Sequence, residues 1–116
     1  KTHNILKQNI NGKFNLIISN PPYITLEEYN RLPKHIKQHE PKTALTDGKD
    51  GLTFYKRFAN ILNNNLKNKG IFVCELGYEK HIPIIRRIFA NKGFFTKIID
   101  DLNHDPRVLV VSYDDF

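Results

Sequence analysis

The chain has 116 residues, of which 40% are hydrophobic and 26% charged, with a formal net charge of +6. This is enough for one domain with a modest core, in the composition range of soluble globular proteins. No apolar run reaches the length of a membrane span and no signal-peptide pattern opens the chain, so a helical membrane protein is excluded on pattern.

The opening Lys1-Thr2-His3 lacks a Met, as expected of a piece of a longer polypeptide. The charge is spread without a block of five or six like residues. It suits a nucleic-acid or ribonucleoprotein partner and a Lys- and Asn-rich composition equally well, and it does not decide function.

Phe14-Asn15-Leu16-Ile17-Ile18-Ser19 is a short apolar run that stops at Asn20-Pro21-Pro22. Two prolines remove backbone donors, so a strand ends here. Apolar residues at consecutive positions predict a central strand covered on both faces. Residues 24–50 then read as a long polar excursion with Pro33 and Pro41, closing in Asp47-Gly48 and Asp50-Gly51. A short helix is predicted over Thr25 to Leu32, with Thr25 as N-cap and Glu27 and Glu28 in its first turn. Long loops inside compact domains are usually functional or disordered.

Leu52, Tyr55, Phe58, Ala59, Leu62 and Leu66 form a stripe at helical spacing, with Asp50 placed to cap the start and Lys67, Lys69 and Gly70 to end the helix. Ile71 to Leu76 is the next buried strand. Ile84, Ile85, Ile88 and Phe89 mark a second long helix, with Pro83 in its first turn and Gly93 after its end. Arg86 and Arg87 interrupt that stripe and are expected to face water. Phe94 to Ile99 and Val108 to Tyr113 are strands joined by Asp100 to Arg107, a link too short for a helical crossover, so they are expected to be antiparallel. Alternating strands and helices predict an α/β sheet with helices on its faces.

The single cysteine, Cys74, lies in Ile71-Phe72-Val73-Cys74 and cannot form an internal disulfide, which fits a reducing compartment, the cytoplasm or an organelle matrix. A small core residue is its expected role. His35 and His39 have the i, i+4 spacing of a metal pair, but no companion ligands accompany them, and a solvated basic loop is the better reading; no metal is expected. His81 reads as a helix-start residue, and His3 and His104 fall in loops.

Asn20-Pro21-Pro22-Tyr23 carries the most chemistry. It follows a buried strand, and in open α/β sheets ligands gather at the carboxyl ends of strands. A planar amide or aryl amine nitrogen shares its lone pair with a π system and is a poor nucleophile. Acceptors that hold both of its N–H bonds favour a geometry in which the lone pair points at an electrophilic methyl group. The Asn20 side-chain oxygen and the Pro21 carbonyl would be those acceptors. The proline rings stiffen the loop, Tyr23 packs on the planar group, and the gain is positioning for in-line methyl transfer. As an isolated tetrapeptide the same residues are more often a plain turn; their place after the strand favours the site.

The chain resembles the amino-methyltransferases with an Asn-Pro-Pro-Tyr loop, and among them the release-factor glutamine methyltransferases. Phe14 to Ile24 corresponds to the family's strand and substrate loop. Glu40-Pro41, Ala44-Leu45, Asp47-Gly48 and Asp50-Gly51-Leu52 follow its pattern through the excursion. Gly70, Glu75 and Gly77 fit its next strand, and Asp101-Leu102 with Asp105, Arg107 and Val108 fit its closing hairpin. The likeness covers essentially the whole chain. It implies the C-terminal half of a Rossmann-like methyltransferase sheet ending in an antiparallel strand pair, so that residues 1–116 are the C-terminal part of a catalytic domain.

The resemblance also implies an enzyme that transfers a methyl group from S-adenosyl-L-methionine to the glutamine amide in the Gly-Gly-Gln motif of class I peptide chain release factors. Asn20, Pro21, Pro22 and Tyr23 would grip the glutamine and carry catalysis, with Asn20 also near the donor methyl. Glu40 and Pro41 would help shape the same mouth. Thr2 to Leu6 would be a remnant of the loop against the adenine, with Asn4 and Ile5 nearest to it. Glu75 is a site-facing or a structural carboxylate, with equal weight on each.

The family's Gly-rich turn, its acidic ribose ligand and its leading helical domain would all lie upstream of Lys1. The chain alone is therefore expected to be inactive, and its Phe14–Ser19 strand to keep an unpaired edge. Two other readings stand beside this one. An adenine amino-methyltransferase acting on DNA or RNA would use the same loop, although no target-recognition insertion or aromatic-interleaved basic patch is present. An inert folded module that serves only as a partner surface is the third. Neither a membrane nor direct nucleic-acid contact is required by the leading reading.

Overall fold

The computed structural model describes residues 4–116. Four strands form one sheet: β1 (Phe14–Ser19), β2 (Leu66–Glu75), β3 (Phe95–Asp100) and β4 (Pro106–Ser112), in the spatial order β1-β2-β4-β3. β1 and β2 are parallel, and β4 runs antiparallel to both β2 and β3. The closing antiparallel pair is as expected from the short link between its strands.

Between β1 and β2 lie three short helices, α1 (Leu26–Asn30), α2 (Lys34–His39) and α3 (Lys42–Leu45), and then α4 (Thr53–Asn65); α5 (Ile82–Ala90) joins β2 to β3. Thr25 caps α1, its Oγ1 accepting from the Glu28 main-chain N–H at 3.1 Å. The excursion is thus more helical than the sequence pattern indicated. Pro33 and Pro41 do not dissolve the segment; they stand as the N-caps of α2 and α3, where a missing N–H costs nothing.

The junction of α4 and β2 departs furthest from the pattern; the bounds of β3 and β4 differ by one or two residues. α4 ends at Asn65, and Leu66, assigned to its stripe, begins β2. The Lys67–Lys69 stretch is strand rather than helix end, and the β1–β2 register shifts between Phe14 and Leu16 to accommodate it. Gly70 lets β2 pass this point, since a Cβ there would lie 2.9 Å from the Phe14 carbonyl oxygen and from Leu66 Cδ1.

The start of α4 is organised by Asp47 as well as by Asp50. Asp50 Oδ1 accepts from the Leu52 N–H at 3.0 Å, while Asp47 accepts from the main-chain N–H groups of Lys49 (2.8 Å), Gly51 (3.0 Å) and Thr53 (3.0 Å). Burial by itself raises the Asp47 pKa, but the hydrogen bonds with Thr53, Lys49 and Gly51 outweigh it and hold the carboxyl below its ordinary 3.8. Because the folded pKa lies below the unfolded one, this stabilisation is complete above the unfolded value and is lost as pH falls through the folded value. Asp47→Ala is expected to cost about 1–2 kcal/mol at neutral pH, with a much smaller difference from the parent at pH values below the folded pKa. Urea melts of both proteins at neutral pH and in strong acid measure this; an equal deficit at both would remove Asp47 as the titrating group.

The core lies between one sheet face and α4 and α5. Phe72, Val111, Cys74 and Leu109 point into it from the strands and meet Tyr55, Phe58, Ala59, Leu62, Ile85 and Phe89 from the helices. The Phe58 and Phe72 rings lie 4.6 Å apart, and Phe89 continues the stack 6.1 Å beyond. On α5 the inward stripe is Ile85 and Phe89, with Ile84 exposed beside Arg86 and Arg87. Cys74 is buried, and burial pushes its thiol up to about 12, so it behaves as a small apolar residue.

β1 has the unpaired edge expected of it but not the expected cover on both faces. Among the described residues it is an edge of the sheet, and while Ile17 packs on the core, Leu16 and Ile18 face away from the helices and are 51% and 71% exposed. The consecutive apolar residues are present, but only alternate ones are covered, because a strand turns successive side chains to opposite faces.

Candidate substrate loop and its surroundings

β1 delivers Asn20 to the carboxyl end of the parallel pair, beside the end of β2 at Glu75. Asn20 is exposed and Pro21 is buried beneath it. The chain beyond is tied to the excursion. The Ile24 N–H donates to the Leu45 carbonyl at 3.1 Å, Ile24 bridges Thr46, and the Leu26 N–H donates to the Lys49 carbonyl at 3.0 Å. The loop is therefore held at both ends by main-chain bonds.

A cavity of about 170 Å³ is lined by Asn20, Pro21, Pro22, Tyr23, Ile24, Ala44, Leu45 and Glu75. The four loop residues singled out from the sequence are thus brought together. Glu40 and Pro41 are not: they sit exposed at the junction of α2 and α3, and α3 presents Ala44 and Leu45 to the cavity in their place. One helical turn separates the two pairs, which a reading of the excursion as irregular loop does not reveal. His35 and His39 both lie exposed on α2.

Glu75 lines this cavity and also a second of about 320 Å³, shared with Asn20, Ser19, Val73, Cys74, Arg107 and Val108. Arg107 approaches Glu75 at 3.8 Å but is held more closely by Asp101, at 3.0 Å. The Glu75 carbonyl accepts from the Tyr55 hydroxyl at 2.8 Å, and burial above all raises the pKa of that phenol. Glu75 is thus structural through its main chain and site-facing through its carboxylate.

Ile5 lies in the loop that precedes β1. With Ile10, Asn11, Ile17, Ile18, Ser19 and Phe58 it lines an apolar cavity of about 530 Å³, and Ile18 and Ser19 also line the cavity of about 320 Å³ beside Asn20. The loop that carries Ile5 is bound to α4. Arg57 Nε donates to the Ile5 carbonyl at 2.7 Å and Nη2 to the Gln8 carbonyl at 3.1 Å, while the Asn65 amide donates to the carbonyls of Ile10 (2.7 Å) and Gly12 (2.9 Å). These anchors are missed from sequence because they join residues about fifty positions apart. Thr2 and His3 of the same expected loop lie outside the described residues.

The model of the Eco57I restriction-modification methylase family matches residues 1–105. A release factor glutamine methyltransferase of Fusobacterium nucleatum is 34% identical over 115 residues, which cover 94% of this chain and 32% of that protein. The enzyme of the same name from Bacillus cereus is 48% identical over 98 residues, or 84% of this chain and 35% of its own length. A protein-(glutamine-N5) methyltransferase (release factor-specific) from Alicyclobacillus acidocaldarius superposes with a TM-score of 0.56 at 26% identity, covering 89% of this chain and 50% of that one. The chain spans about a third of the length of the curated relatives it matches.

Proposed function

Because the chain belongs to the Eco57I restriction-modification methylase family and is homologous to release factor glutamine methyltransferases over most of its length, we propose that it is the substrate-loop half of a protein-(glutamine-N5) methyltransferase. The substrate is the Gly-Gly-Gln glutamine amide of class I release factors and the donor is S-adenosyl-L-methionine. Residues 1–116 then form the C-terminal part of the catalytic domain. The observation that carries this reading is the enclosure of Asn20, Pro21, Pro22 and Tyr23 in one cavity at the end of the parallel strands.

What favours glutamine over an exocyclic adenine amine is the likeness to release factor glutamine methyltransferases over most of the chain. Asn20 Oδ1 and the Pro21 carbonyl accept the two amide N–H bonds, and Tyr23 packs on the amide plane. The donor supplies the electrophilic methyl group when bound. Of this chain's residues, Ile5 and its apolar neighbours suit the flat face of an adenine, with Asn20 standing between that cavity and the substrate. The buried Cys74 is inert, and what this chain's residues supply is positioning. The proposed substrate implies a reaction in the cytoplasm or an organelle matrix; among the described residues no helix is long and apolar enough to cross a membrane.

The test is methyl transfer from labelled donor to a purified release factor, by this chain alone and by this chain preceded by a donor-binding half. Label on the Gly-Gly-Gln glutamine with the longer protein only is the expected result. Label on adenine in DNA or RNA instead would overturn the substrate assignment. Failure of the longer protein to bind donor would favour an inert module.

A further inference from the structure

We propose that Gly77 is a positioning residue for the reaction, acting through Tyr23: its missing side chain is the seat of the Tyr23 ring. Gly77 follows β2, far from the substrate loop in sequence. A Cβ on Gly77 would fall on that ring, 2.5 Å from Cγ and 2.7 Å from Cε2, and closer still to Cδ2. Because Cγ is the root of the ring, no rotation about its own axis clears the clash. The ring would have to swing about χ1 and leave its place. The ring is therefore laid directly on main chain, which a side chain at position 77 would forbid.

Three further contacts make the seat specific. Gly51, at φ +84°, comes so close to the Tyr23 carbonyl oxygen that a Cβ there would collide with it. Tyr78 meets the Tyr23 ring edge-on, with centroids 6.1 Å apart and planes at 90°. The Tyr78 hydroxyl in turn faces the Glu28 carboxyl on α1. Burial alone would raise the Glu28 carboxyl, but the Tyr78 and Thr25 hydroxyls outweigh it and hold it below its usual range. The excursion, the turn after β2 and the substrate loop thus converge on one ring. A planar amide stacked on Tyr23 takes its orientation from that ring, so a displacement of about 1 Å there changes the approach of its nitrogen to the methyl group.

The inference rests on Tyr23 gripping the substrate, and the experiment separates the two. In this chain preceded by a donor-binding half, Gly77→Ala is expected to lower kcat by about 100-fold with donor affinity unchanged. In a Tyr23→Ala background the same change is expected to be almost silent, because no ring remains to displace. Losses that multiply instead would overturn the proposal. Should Gly77→Ala not fold, the Tyr23→Ala/Gly77→Ala pair is expected to fold again, and its failure to do so would count against the proposal. Should the parent methylate no glutamine, the functional reading falls, and the seat is judged on the 116-residue chain by NMR. Nuclear Overhauser contacts between the Gly77 α-protons and the Tyr23 ring are expected; their absence overturns the inference.

Discussion

Asn20→Ala is expected to lower methyl transfer to the release-factor glutamine by on the order of 100- to 1,000-fold, the usual cost of removing one preorganised polar partner of a transition state. The amide nitrogen becomes more positive as it takes the methyl group, so its N–H bonds to the Asn20 oxygen strengthen along the reaction. The loss should therefore fall on kcat more than on KM. Asn20 is exposed at the end of β1, so its truncation opens no core cavity and should leave the unfolding transition in place. Asn20→Asp keeps the acceptor and should retain more activity than Asn20→Ala. Measured kcat and KM for both variants, with melts as controls, make the comparison. A loss below about tenfold, equivalent to about 1.4 kcal/mol, would remove Asn20 from the chemistry.

Phe72→Ala is expected to be the most damaging single change to stability, by about 3–5 kcal/mol. The ring is fully buried in the centre of β2 and lies between Phe58 of α4 and Phe89 of α5. Both helices lean on it, so the cavity cannot collapse without moving one of them. For a domain whose total stability is about 5–15 kcal/mol, that is a large share. Ile18→Thr, on the face of β1 turned away from the helices, should cost far less in this chain because Ile18 is already 71% exposed. Urea unfolding of the three proteins checks the ranking, and a deficit for Phe72→Ala no larger than that for Ile18→Thr would show that the core is centred elsewhere.

The candidate site was partly legible before any coordinates. Asn20-Pro21-Pro22-Tyr23 announced itself because two prolines after an apolar run end a strand wherever they occur, and because the residue types match one chemistry. Ala44 and Leu45 did not, since their place at the cavity depends on how three short helices fold back on the loop. Gly77 carried a motif resemblance but no visible reason for it; the reason is the Tyr23 ring, which lies more than fifty residues earlier in the chain. Asp47 was visible as part of a turn cluster, yet its acceptance of three N–H bonds follows only from the closed geometry of that turn.

The amino-acid order by itself determined the alternation of strands and helices, the antiparallel ending and the stripe of α4, because periodicity and turn chemistry are local properties of the chain. It also marked the candidate substrate loop. Tertiary structure alone decided which residues of β1 are covered, leaving Leu16 and Ile18 exposed, because burial depends on what packs against a strand and not on the strand's own residues. The same holds for the end of α4. The stripe could continue through Leu66, but pairing with Phe14 draws Leu66 into β2. It holds too for the grip of Arg57 and Asn65 on residues 5–12, where hydrogen bonds join segments whose separation in sequence hides their contact in space.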